Sequence, residues 1–200
     1  KLTAALKAVF ADTQIEDLWL PYFCISTNLT RAEPIKHQRG LLRQAVRGSL
    51  SIPAVFPPLQ VGGELIVDGG AMNNFPVDVM ADFLEGGMVI GCTVSPIRDA
   101  PKHPFDLEDS ISGWTVLLNR LLRRNKRVPT LAKTILRSLE VSSVYRVRTV
   151  EDQVDLLIRP DASQYSILEF DASGPLFELG YAATQAKLKD WLPTYHARYG

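Results

Sequence analysis

Cysteine and histidine are scarce in this chain, and neither sign of charge is in excess. Of 200 residues only 2 are cysteine, Cys24 and Cys92, and each lies inside an apolar run. That usage excludes a disulfide framework and reads as buried thiols in a reducing compartment. The 3 histidines, His37, His103 and His196, are scattered. No HExxH or CxxC pattern accompanies them, so neither a metal site nor a cofactor is expected. Lys plus Arg is 22 and Asp plus Glu is 22, for a formal net charge of +0. With no nucleic-acid-binding signature either, nucleic acid is excluded as a partner. No apolar run reaches the length of a membrane span, and the first residues do not form a signal peptide. A cytoplasmic protein is therefore expected.

What is present suits one α/β domain with a real core, since 46% of the residues are hydrophobic. Lys1 to Ala11 carries apolar residues at helical spacing but has no N-terminal cap. It reads as the end of a helix, so the domain is expected to continue upstream of Lys1. Leu18 to Thr27 reads as a strand buried on both faces, begun at Pro21. Pro34-Ile35-Lys36 reads as a short edge strand. Gly40 to Ser51 forms an amphipathic helix with Leu41, Leu42, Ala45, Val46 and Leu50 on one face and Arg43 and Arg47 on the other. Ile52 precedes a proline and ends it; Pro53 to Pro58 is a stiff apolar loop.

Farther along, Pro76 to Leu84 is a helix with proline in its first turn, stopped by Gly86-Gly87. Met88 to Val94 reads as a second doubly buried strand. Strand 65–67, this helix and this strand make a parallel βαβ unit with a right-handed crossover. Ser95 to Asp109 is loop. Ile111 to Leu122 and Thr130 to Leu139 are two helices around a basic turn. Val154 to Ile158 is a third strand, Phe170 to Ser173 is loop, and Pro175 to Tyr199 is a closing helix. Its residues Leu176, Leu179, Ala183, Ala186, Leu188 and Leu192 are expected inside.

One stretch organises the rest: Gly62 to Pro76, in which the apolar run Leu65-Ile66-Val67 ends in Asp68-Gly69-Gly70. An Asp at the exit of a buried strand is held by rigid backbone, and the glycines behind it let another backbone come close. Two readings fit these residues: a strand ended by an ordinary Asp-Gly turn, and a carboxylate presented at the mouth of an α/β sheet, where such folds place ligands. Asn73 and Asn74 would hold the turn by side-chain-to-backbone bonds. Arg47 and Ser51 have two readings as well, a pocket wall or a helix C-terminus with a solvated arginine. Val55, Phe56 and Phe75 read as core.

Three segments taken together resemble the patatin-like phospholipase family, in its neuropathy target esterase-like branch. They are Asn28-Leu29-Thr30, then Arg47 to Pro58 (RGSLSIPAVFPP), then Val67 to Asp78 (VDGGAMNNFPVD), in the family's order and at similar spacing. The resemblance implies a three-layer α/β/α patatin-like fold with a mostly parallel central sheet. It implies a serine hydrolase with a Ser-Asp dyad, acting on phospholipid or lysophospholipid carboxyl esters. In the motif Asp68-Gly69-Gly70, Asp68 inherits the role of general base.

The chain departs from that pattern in one decisive respect: it contains no GxSxG. Gly48-Ser49-Leu50-Ser51-Ile52 lacks the glycine after the serine, and no glycine-rich oxyanion stretch is present. Residues 1–200 are therefore expected to be the C-terminal portion of one patatin-like phospholipase domain. Its N-terminal half, bearing the nucleophile, would lie upstream, and residues 1–200 alone should be inactive. The competing reading is a non-catalytic lipid- or protein-binding α/β module; an upstream GxSxG decides between them. No particular residue is singled out as substrate-binding. Trp114, Leu117, Leu118, Leu121 and Leu122 form a helical stripe beside Arg120, Arg123, Arg124, Lys126 and Arg127. This basic helix, 114–127, reads either as a peripheral membrane contact or as a helix packed on the sheet with a solvated basic face.

Overall fold

The computed structural model of the protein describes residues 2–84, 87–94, 131–165 and 169–199. The expected loop 95–109, the first of the two expected helices and the basic residues of 114–127 lie outside the described residues. The elements in order are α1 (Leu2–Phe10), β1 (Cys24–Asn28), β2 (Glu33–His37), α2 (Leu42–Ser49), β3 (Leu59–Val61), β4 (Glu64–Asp68), α3 (Val77–Phe83), β5 (Ile90–Cys92), α4 (Leu131–Val150), β6 (Leu156–Ile158) and α5 (Ser173–Tyr199).

Among the described residues two open sheets result. The larger runs β2-β1-β4-β3, and the smaller pairs β5 with β6. The mixed α/β class holds, but the balance of pairing differs from the expected mostly parallel sheet. Among the described residues only β5 and β6 are parallel, and every pair in the larger sheet is antiparallel. For β1–β2 and β3–β4 the cause is the shortness of the connection. A parallel pair needs a crossover of a dozen residues or more, whereas a short turn can only reverse the chain. β3 and β4 are joined by Gly62 and Gly63, with φ of +58° and +85°, values open to glycine at little cost. Nor does α3 link two neighbours of one sheet. β4 pairs with β1 and β3, β5 pairs with β6, and the parallel crossover runs from β5 to β6.

Several boundaries also differ. The first strand begins at Cys24, not Leu18. Residues Ile15–Asp17 form a 3-10 turn, and Trp19 is 94% exposed. β5 is buried only at Gly91, with Ile90 and Cys92 outward, so this strand is not doubly buried. Cys92 is accordingly exposed and Cys24 half-buried, which corrects the reading of both as buried thiols. α4 runs on past Leu139 to Val150 because no glycine or proline interrupts residues 131 to 159. Residues Phe170–Ala172 form a 3-10 turn in place of loop.

Among the described residues the interior has two centres. Ile15, Leu42 and Ala45 are buried between α1 and α2, with Phe10, Leu18 and Tyr22 against them. Phe75, Val77, Val89, Val147 and Val150 form the second, joining α3, the start of β5 and the end of α4. α5 contributes to neither. Leu176, Leu179, Ala183 and Leu188 are half-buried, while Ala186 and Leu192 are exposed. The helix is tied to β6 by Trp191, whose Nε1 donates to the Asp155 carbonyl at 3.1 Å.

Candidate active site

Asp68 is the last residue of β4, directly opposite Ser26 on β1. Its backbone amide leaves the ladder and donates to the Ser51 carbonyl at 3.0 Å. Its side chain caps the 3-10 turn Gly69–Ala71, Oδ1 accepting from the Gly70 amide at 2.7 Å. The carboxylate is thus held through its backbone from one side and through its oxygen from the other. Burial pushes its pKa above the ordinary 3.8, and the Gly70 hydrogen bond opposes that shift. Gly69 must be glycine: a Cβ there would lie 2.4 Å from the Ile25 carbonyl oxygen, inside the main chain of β1. Asp68 is therefore more than the end of a loose turn. It is a partly desolvated carboxylate that can take a proton from a hydroxyl brought within roughly 2.6–3.2 Å.

The turn is also anchored at its far end. The Met72 and Asn73 amides both donate to the Gly69 carbonyl, at 3.0 and 2.7 Å. The expected side-chain-to-backbone bonds of the two asparagines are replaced by side-chain pairs. Asn73 Nδ2 donates to Asp78 Oδ1 at 3.1 Å, and Asn74 Nδ2 donates to Ser143 Oγ on α4. Arg146 on α4 completes the clamp with an ion pair to Asp78 at 2.9 Å. Sequence gave no warning of either contact with α4, because the partners are about 70 residues apart.

Beside Asp68 the sheet is polar inside. Ser26, Thr27, Asn28 and Ser51 are all buried. Ser26 Oγ shares a 2.6 Å hydrogen bond with His37 Nε2, a pair sequence reasoning did not find. Burial holds the His37 pKa below the ordinary 6.5. Asn28 shapes the β1–β2 turn: its Oδ1 accepts from the Thr30 and Arg31 amides at 3.0 and 3.2 Å, and its Nδ2 donates to Glu64 at 2.7 Å. Ser26 and Ser51 are each 0% exposed, so neither presents a hydroxyl to a substrate. Arg47 is not a solvated helix-end arginine. It is buried against the Pro loop, with Nη2 donating to the Pro57 carbonyl at 2.9 Å and Nη1 to Ser51 Oγ. Among the described residues no cluster of three His, Cys, Asp or Glu side chains could hold a metal ion. No described helix is long and apolar enough to cross a membrane.

Residues 1–81, which contain the Pro loop, β4 and the Asp68 turn, match the family model for patatin-like phospholipase. With these motifs, that part of the chain is similar to the patatin-like phospholipase family. Several of the chain's relatives carry the NTE name. The chain is 30% identical to lysophospholipase NTE1 of Debaryomyces hansenii over 190 residues, which is 93% of this chain and 12% of that protein. An NTE family protein of Mycobacterium bovis is 32% identical over 185 residues, 92% of this chain and 31% of that protein. A patatin-like phospholipase domain-containing protein of Caenorhabditis elegans is 35% identical over 181 residues, 88% of this chain and 13% of that protein. The chain thus spans only a minor part of the length of each.

Proposed function

We propose that this chain supplies the carboxylate half of a Ser-Asp dyad in an enzyme that hydrolyses the carboxyl esters of phospholipids or lysophospholipids. Asp68 is the general base, and Asp68-Gly69-Gly70 is the turn that presents it. The nucleophilic serine lies in a GxSxG upstream of Lys1, and residues 1–200 form the C-terminal portion of one patatin-like phospholipase domain. Its N-terminal half completes the site. A serine hydroxyl is a weak nucleophile at neutral pH and needs a base in contact. Asp68 takes its proton as the oxygen attacks the ester carbonyl; donors on the upstream half hold the oxyanion. The observation that carries this reading is the geometry of Asp68. It is a partly buried carboxylate, raised in pKa, fixed by the Gly70 amide and the Ser51 carbonyl at the exit of an interior strand.

Asp68→Asn in the full-length protein is the direct test. The change keeps the shape and removes the base, so kcat on a soluble short-chain ester should fall about 10²–10⁴-fold with the fold intact. Wild-type kcat in the folded variant would leave Asp68 as a turn residue only. The raised pKa also sets the acid limb of the kcat/KM profile. The base works when ionised, so activity should fall with acid at a pH above the ordinary carboxylate value.

The substrate lives in a bilayer, and the basic residues of 114–127 supply the peripheral contact with it at the cytoplasmic face. Each cation near an anionic surface contributes about 1 kcal/mol. Replacing Arg120, Arg123 and Arg124 with Gln should therefore weaken vesicle co-sedimentation by about two decades and leave soluble-ester turnover unchanged.

A further inference from the structure

Arg47 is a buried cation whose hydrogen bonds all end on uncharged atoms. It is 8% exposed, and its Nε, also buried, has no partner among the described residues. A guanidinium keeps its charge at any working pH. A hydrophobic side chain of similar volume would seal α2 against the loop without that cost. What Arg47 adds is direction.

Its two terminal nitrogens reach in two directions, to Pro57 and to Ser51. Ser51 Oγ accepts from Nη1 and donates to the Arg47 carbonyl at 2.8 Å, so the hydroxyl is gripped by one residue at both ends. The Ser51 amide donates to the Gly48 carbonyl at 3.0 Å. All three polar atoms of Ser51 are thus committed, and the third, its carbonyl, receives the Asp68 amide.

We propose that Arg47 is a positioning residue for Asp68. The guanidinium clamps Ser51 and the Pro loop together, the Ser51 carbonyl fixes the Asp68 amide, and that amide sets where the carboxylate points. This rests on the reading of Asp68 as the general base. Arg47 is buried against Ser51 and the Pro57 carbonyl and acts through them, so its loss acts on kcat and not on KM. A misplacement of the base by an ångström or so is enough for a loss on the order of 10²-fold.

The experiment is a double-mutant cycle in the full-length enzyme, with a soluble short-chain ester as substrate and Asp68→Asn as the reference. Arg47→Lys keeps the charge and loses the forked geometry. Ser51→Ala removes the gripped oxygen and leaves the Ser51 carbonyl on Asp68. It reads the clamp even where an Arg47 variant fails to fold. Each single variant should lower kcat about 10- to 100-fold with KM within about twofold. The double variant should lose no more than the worse single, because both break one linkage. The acid limb of kcat/KM should also move down toward the ordinary carboxylate value as the loosened carboxylate gains solvent, a change that a purely structural arginine would not produce. Losses that multiply in the double variant, an unmoved acid limb, or a rise in KM at constant kcat would each overturn the inference while Asp68→Asn remains inactive. If Asp68→Asn itself keeps kcat, the base reading fails and the inference falls with it.

Discussion

The interior beside Asp68 and the interior beneath α4 are made of different materials. Beside Asp68 the buried polar groups are Ser26, Thr27, Asn28, Arg47, Ser51 and Asn73, set among the apolar Ile25, Ile66 and Val67. Beneath α4 they are Phe75, Val77, Val89, Val147 and Val150. Apolar burial is non-directional and yields stability in proportion to area. Buried hydrogen bonds add little net stability but fix directions, and a half-broken network is worse than none. The polar side therefore aims the carboxylate and the apolar side holds the domain together. A single segment, Asp68 to Phe75, begins in one interior and ends in the other.

That division makes different substitutions fail in different ways. The largest loss of stability should come from Phe75→Ala, which empties the apolar centre and should cost about 3–5 kcal/mol. Urea denaturation of the full-length protein measures it, and an effect below about 1 kcal/mol would mean that this centre is not the main support. Gly69→Ala comes next. Its Cβ would meet the main chain of β1, which cannot step aside as a side-chain tip can, so about 1–3 kcal/mol is expected. Here kcat on a soluble ester should drop far more than the stability loss accounts for, because the neighbouring residue is Asp68. A variant that loses stability but keeps kcat would break the claim that this side aims the base.

The smallest effect concerns His37. Its pKa is held below the ordinary 6.5 by burial, so the unfolded chain takes up the proton first as the pH falls. Its share of stability is fully present above about pH 6.5 and is lost as the pH drops from there through the lower folded value. His37→Gln keeps a hydrogen-bonding partner for Ser26 and removes the titration. The difference in Tm between the two proteins should therefore narrow from pH 7.5 to pH 5. A constant difference would show that the Ser26–His37 pair is indifferent to protonation.

What could be read from sequence follows the range of each interaction. Asp68, Gly69 and Gly70 are adjacent, and the strand and helix around them lie within ten residues, so local pattern was enough to single out the turn. Pro34 marked the edge strand for the same reason. Arg47 was misjudged because helical spacing placed it on the polar face of α2, and the loop that covers it returns only at Pro57, ten residues later. β3 escaped notice because Leu59, Gln60 and Val61 have no buried position to imprint a pattern. Cys92 was misjudged because an apolar run was taken as burial on both faces. The contacts of Asn74 and Asp78 with α4 depend on how distant segments dock, which no local window contains.

The two thiols give the molecule a clock of its own. Cys92 stands exposed on β5, while Cys24 is half-buried on β1, and burial raises its pKa despite a hydrogen bond from Tyr22. Thiolate, not thiol, reacts with maleimide or disulfide reagents. Cys92 should therefore label faster than Cys24. The slow phase of such labelling reports the protection of Cys24 on β1, the strand on which the Asp68 turn is seated, and it should quicken in any variant that loosens that strand.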